Sequence, residues 1–162
     1  MADVPFDPAD LVWTRVSGRL AAARLVVAAC WLAPLLIGAV VAAALVGELW
    51  LWALPVVVLA LMGWVAWLVP RQVRALGYAE RDEDLLIVRG IMFRSLVVVP
   101  YGRMQYVDVN AGPIDRSMQI ATVQLHTAAP GTQAEIAGLP PAEAARLRDR
   151  LASRGEARLA GL

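Results

Sequence analysis

Few side chains in this sequence could do chemistry, and they do not gather. His126 is the single histidine. It follows Leu125 in a strand-like run, and no second imidazole is available to share a metal. It reads as an exposed or hydrogen-bonded strand residue. Cys30 is the single cysteine, which excludes an internal disulfide and a thiolate cage. Set within an apolar run, it reads as a small filler of a helix face. No serine, threonine or cysteine has a histidine set beside it by a nucleophile motif. No glycine-rich loop opens a helix, so phosphate-loop and dinucleotide chemistry are unsupported. Asp82-Glu83-Asp84 lacks the alternating ligand spacing of a calcium loop and reads as a solvated turn. The expectation is no catalysis, no cofactor and no metal.

What remains is binding. Arg94, Arg103 and Arg116 form a candidate basic cluster, and Tyr101 and Tyr106 lie in the same stretch. Tyrosine and arginine combine large contact area with directional hydrogen bonds. Tyr101, Arg103, Tyr106 and Arg116 are therefore the candidate partner-binding residues. The competing reading is structural, with each arginine pairing with Asp108, Asp115 or a loop carbonyl. Arg15, Arg19, Arg71 and Arg74 are candidate contacts for lipid headgroups, and are equally explained by membrane topology. The net charge of +1 gives no field that would favour nucleic acid.

The elements that must carry these residues fall into two physical regimes. Of the 162 residues, 59% are apolar, above the usual share for a soluble domain. The excess is concentrated: from Leu25 to Val69 the one ionisable acid or base is Glu48. Segments 25–46 and 49–69 would each extend about 32 Å as helices, the thickness of a bilayer's hydrocarbon core. Gly47-Glu48 is too short a link for anything but an antiparallel hairpin. The first run is too long for a cleaved signal peptide, and a second span follows it at once. Arginines flank the pair at Arg15, Arg19, Arg24, Arg71, Arg74 and Arg81, and the link has none. The positive-inside rule then puts both termini in the cytoplasm, in the plasma membrane of a cell, with Glu48 outside. Trp13, Trp50, Trp52, Trp64 and Trp67 fall near the expected headgroup levels. Small residues suggest where the spans touch: Gly38 with Ala42, Ala39 with Ala43, and Ala53, Val56, Ala60 and Gly63. No ionisable group lies at mid-membrane, which argues against a transport path. Residues 1–24 form a cytoplasmic juxtamembrane segment. From Asp10 as N-cap, Leu11 to Arg24 is expected to run as a helix into the first span, with Trp13, Val16 and Leu20 on the membrane.

From residue 75 to 152 the pattern is that of a small β domain. Strands are expected at Leu76–Arg81, Leu85–Arg89, Ile91–Val99, Met104–Val109, Ala121–Thr127 and Gln133–Ala137, with turns at Asp82-Glu83-Asp84 and Ala129-Pro130-Gly131. Alternation puts Met104, Tyr106 and Asp108 on one face, and Gln105, Val107 and Val109 on the other. Asn110–Met118 reads as a loop with one helical turn. A helix follows Pro140-Pro141. Its seam of Ala144, Leu147 and Leu151 packs on the sheet, while Glu143, Arg146, Arg148, Asp149 and Arg150 face water. Residues 153–162 read as a mobile tail.

The stretch from Leu85 through Ala128, then a short strand, then Gly138-Leu139-Pro140-Pro141 and the helix, resembles the bacterial pleckstrin-homology-like domain found in YdbS-like membrane proteins. The elements are Arg89-Gly90, Val99-Pro100 followed by Arg103 and Val107, Gly112-Pro113 followed by Arg116, and Ala121-Thr122-Val123. The paired spans ahead of the domain match that family's arrangement. The sequence departs from it at Gln119, where family members often have glycine. The resemblance implies a mostly β barrel or sandwich capped by one C-terminal helix. It also implies a membrane-anchored binding or scaffold module, acting beside other membrane proteins or copies of itself. The alternatives are an anionic-lipid sensor or an accessory subunit of a membrane enzyme or transporter. Eukaryotic domains of this type bind phosphoinositides with bases around the first hairpin loop. Here that loop is read as the acidic turn 82–84, and from 75 to 162 arginines and carboxylates are equal in number.

Overall fold

The computed structural model describes residues 11–127 and 134–159. Helix α1 (Arg19–Val46) and helix α2 (Ala53–Arg74) form the expected antiparallel pair, joined by Glu48 in extended conformation and a 3-10 turn at Leu49–Trp52. Gly47 ends α1 at φ 77°, a left-handed geometry that glycine adopts without strain. Its N–H donates to the Ala43 carbonyl at 3.1 Å.

The seam between the helices differs from the expected one. Ala43, Pro55 and Val58 are buried, and Ala39, Met62 and Val65 are partly covered. Gly38, Ala42, Ala53, Val56, Ala60 and Gly63 face outward, and a Cβ added at Gly38 or Gly63 would meet nothing within 4 Å. On α1 the expected pair Ala39 and Ala43 is the covered one and Gly38 with Ala42 is not; on α2 Pro55, Val58, Met62 and Val65 are covered in place of the small residues.

The β domain has two antiparallel sheets. The first runs β1 (Thr14–Arg15), β2 (Gly77–Glu80), β3 (Asp84–Arg89) and β4 (Ser95–Pro100) in that order. The second runs β5 (Met104–Asn110), β6 (Ala121–Thr127) and β7 (Ala134–Leu139). Short helix α3 (Pro113–Ser117) links β5 to β6, and α4 (Pro141–Leu159) closes the sandwich. Ala144, Leu147 and Leu151 are fully buried against Tyr78, Leu85, Val99, Tyr101, Val123 and Leu125. The seam read from helical spacing is therefore the core-facing one.

Several expectations need correction. Leu11–Arg24 is not one helix: β1 pairs with β2, Thr14 opposite Tyr78 and Arg15 opposite Gly77, and the helix begins at Arg19. Asp10, the expected N-cap, lies outside the described residues, as does the turn at 129–131. The two long apolar helices are thus inserted between β1 and β2. Val16 and Leu20 pack inward rather than on the membrane. The acidic turn 82–84 joins β2 to β3, so it is the second hairpin loop. The first connection is the helical pair itself, so the acidic turn does not occupy the first-loop position assigned to it from the sequence. The strand expected from Ile91 begins at Ser95, because Gly90, at φ 97°, opens a tight turn through Phe93. The tail expected from 153 is helical as far as Leu159, with Gly155 buried.

In β5, Met104 pairs with Thr127 and Tyr106 with His126, leaving Gln105 as an extra residue. Such a bulge shifts the alternation. Met104 is buried, while Tyr106 and Asp108 face solvent, so Met104 does not share their face.

A second apolar cluster joins the domain to the helices. Leu20, Ala23, Val73 and Ile120 are buried together, flanked by Val16, Leu76, Ile114, Met118 and Ala137. Gln119 beside it adopts φ 53°, the left-handed region where the resembling family often has glycine. Its side chain accepts a hydrogen bond from Arg19 Nη1 at 3.1 Å, a link to α1 that glycine could not make.

Candidate functional site

The four candidate partner-binding residues do not form one patch. Tyr101 is fully buried. Its hydroxyl donates to the Arg81 carbonyl at 3.0 Å and accepts from Arg154 Nη1 at 3.0 Å. Burial raises its pKa above the ordinary tyrosine value, with Arg154 opposing. Arg116 Nε donates to the Ala111 carbonyl at 3.1 Å, bracing the turn before α3. Asp115 accepts from the Gly112 N–H at 3.2 Å in the same turn. Arg103 and Arg94 are exposed.

Tyr106 alone presents a ring on the open face of β5, 53% exposed. It stacks on His126 with centroids 4.2 Å apart and 12° between planes. His126 Nε2 lies 3.6 Å from Asp108 Oδ2 and has no hydrogen-bond partner among the described residues. The solitary histidine is therefore a cross-strand neighbour of Tyr106, half-covered in its strand. Among the described residues no three His, Cys, Asp or Glu side chains converge as metal ligands.

β5 is the edge of its sheet, paired with β6 on one side. Between β5 and α4 lies a groove of about 300 Å³, lined by Gln105, Tyr106 and Val107 of β5 and by Arg148, Ala152 and Glu156 of α4. An edge strand offers unpaired backbone donors and acceptors.

The residues that fix α4 beside this groove escaped the sequence reading. Tyr78 donates to Glu143 Oε1 at 2.7 Å. Arg146 bridges Glu143 (2.6 Å) and Glu80 (2.8 Å), and Arg150 reaches Glu80 at 3.1 Å. Glu143, Arg146 and Arg150 thus bind the helix to β2 instead of only facing water, whereas Arg148 and Asp149 pair with each other at the surface. The i,i+3 spacing of Glu143 and Arg146 was the available signal.

Hydrogen bonds from Arg146 and then Tyr78 pull the Glu143 carboxyl down to about 2. Burial first, then the Glu143 hydrogen bond, pushes Tyr78 up to about 12. The Glu143 and Glu80 carboxylates raise the Arg146 pKa. The depressed Glu143 value stabilises the fold above the ordinary carboxylate range, and this is lost as pH falls from 4.5 through about 2. Thermal unfolding in detergent should show a steeper loss of stability across that window for the wild type than for Glu143→Gln. Parallel profiles would mean that the bridge contributes nothing.

The candidate lipid-contact arginines are partly engaged within the protein. Arg15 Nη1 donates to the Arg74 carbonyl at 3.0 Å, and Arg19 is held by Gln119. The Arg71 guanidinium lies 3.6 Å from the Trp67 ring centroid. Arg71 and Arg74 are exposed at the end of α2.

Comparison with known proteins agrees with this architecture. The chain is 39% identical over 72 residues to the UPF0699 transmembrane protein YdbS of Bacillus subtilis (strain 168). The match covers 44% of each protein, so the chain spans under half of that relative's length. No solved structure matches it. The Bacterial PH domain family matches residues 17–155, taking in both apolar helices, the strands from β2 onward and most of α4. The chain is a membrane-associated member of the bacterial PH domain family.

Proposed function

We propose that this protein is a non-catalytic binding module held at the cytoplasmic face of the membrane by two spans, and that it takes up a protein segment along the edge of β5. The observation that carries this reading is the edge position of β5 in its sheet, with the groove between it and α4 and the exposed Tyr106 ring beside it. An extended segment added there would gain main-chain hydrogen bonds from the edge and side-chain contact from the groove. The cluster of Leu20, Ala23, Val73 and Ile120 supports it, since the domain is packed onto its own helices and would offer that edge at a fixed height above the bilayer. The partner is another membrane protein or a second copy.

A photo-crosslinking residue at Gln105, exposed at the bulge, tests the edge in native membranes. Defined adducts that disappear when Tyr106→Ala is added are expected. An adduct pattern identical to that of the same probe placed at Arg103, outside the groove, would count against the edge as the binding surface.

A further inference from the structure

The turn between β3 and β4 carries three exposed apolar residues in a row. Ile91 is 43% exposed, and Met92 and Phe93 are each 87% exposed. Two arginines bracket them, Arg89 and Arg94. In a soluble domain such a tip would be costly, since each large side chain stays in water. The turn is also tightly set. Gly90 is at φ 97°, and a Cβ there would fall 1.9 Å from the Phe93 carbonyl oxygen, so only glycine closes it.

Its position gives the tip a purpose. Gly90, Met92 and Phe93 share one groove of about 480 Å³ with Arg24 of α1, Leu68 and Gln72 of α2, and Glu135 of β7. Leu68 belongs to the last apolar turn of the second span, and Trp67 with Arg71 over its ring stands beside it. Tryptophan and arginine at the end of a span mark the headgroup boundary. The turn therefore sits level with that boundary while the domain hangs below it.

We propose that Ile91, Met92 and Phe93 insert into the leaflet next to the spans, making the β3–β4 turn a third membrane contact of this chain. The apolar side chains enter the boundary between headgroups and acyl chains. Arg89 and Arg94 extend their charged ends toward lipid phosphates, as long basic side chains do at interfaces. Glu135 is the one carboxylate among the residues lining the groove, against two arginines, Arg24 and Arg89. The bilayer is the occupant because the chain's own spans already place it at this level. The inference rests on the spans and not on the β5 edge, so the two can fail separately.

The test uses the full chain with Cys30→Ala, reconstituted in phosphatidylglycerol–phosphatidylethanolamine vesicles. Single cysteines at Phe93, Met92 and Ser153 are labelled with an environment-sensitive nitrobenzoxadiazole. Labels at 93 and 92 should show blue-shifted emission and be quenched at least severalfold more by lipids with a nitroxide high on the acyl chain than the label at 153. Neither side chain is part of the core, so labelling leaves the fold intact, and two positions guard against one misbehaving. Water-like emission at both would overturn the proposal. A blue shift without lipid quenching would also overturn it, since it would mean cover by protein, such as a second copy.

Discussion

Leu147→Ala should unfold the domain, and Arg148→Ala should leave it standing. Leu147 is fully buried at the middle of the α4 seam, between both sheets. Truncating such a leucine costs about 2–5 kcal/mol through lost burial and the cavity left behind. A small domain's whole stability is about 5–15 kcal/mol. Arg148 lies outside the buried seam, at the rim of the groove beside β5, and pairs with its neighbour Asp149 at the surface. Its loss should stay within about 0.5 kcal/mol. Thermal unfolding in detergent, followed by protease sensitivity of the domain, distinguishes the two. Equal tolerance would mean that α4 does not hold the sandwich together.

Gly138→Ala should break the joint between domain and membrane helices. Gly138 is at φ 80°, and an added Cβ would lie 2.7 Å from Leu20 Cβ and 2.8 Å from its Cδ2. Left-handed backbone costs a non-glycine residue about 1–2 kcal/mol. Overpacking adds about 1–3 kcal/mol more. The contact is with Leu20 Cβ, so Leu20→Ala should not rescue it. The same strand position accepts a hydrogen bond from the Ser17 N–H at 2.9 Å, so the start of α1 is tied there twice. Hydrogen exchange should rise together in β7 and at residues 17–23. Unchanged exchange and an unchanged Tm would show that the helices and the domain are not packed as one unit.

Much of this architecture was legible because its signals are local. Two uncharged runs of spanning length, turns at charged or glycine-bearing sites, and a helical seam at Ala144, Leu147 and Leu151 need no tertiary knowledge. What escaped depends on distant partners. β1 is a two-residue strand whose pairing with β2 reaches across both apolar helices, and nothing in its own sequence announces that. The extra residue at Gln105 shifts the alternation that had grouped Met104 with Tyr106. Small residues every fourth position pointed to Ala39 and Ala43 on the first apolar helix but picked the wrong face of the second. Tyr101 and Arg116 are chemically suited to binding, yet one is buried and the other braces a turn, and residue type alone does not separate these uses. The departure at Gln119 was visible, but its compensation by Arg19 lies a hundred residues away.

The central claim is a domain folded around its own membrane hairpin, with both ends on one side. Cysteine labelling in intact cells tests it most directly. In a Cys30→Ala background, a cysteine at Glu48 should react with an impermeant thiol reagent, and a cysteine at Ser153 should react only after the membrane is permeabilised. Labelling of Ser153 but not Glu48 in intact cells would invert the topology and contradict a cytoplasmic binding role.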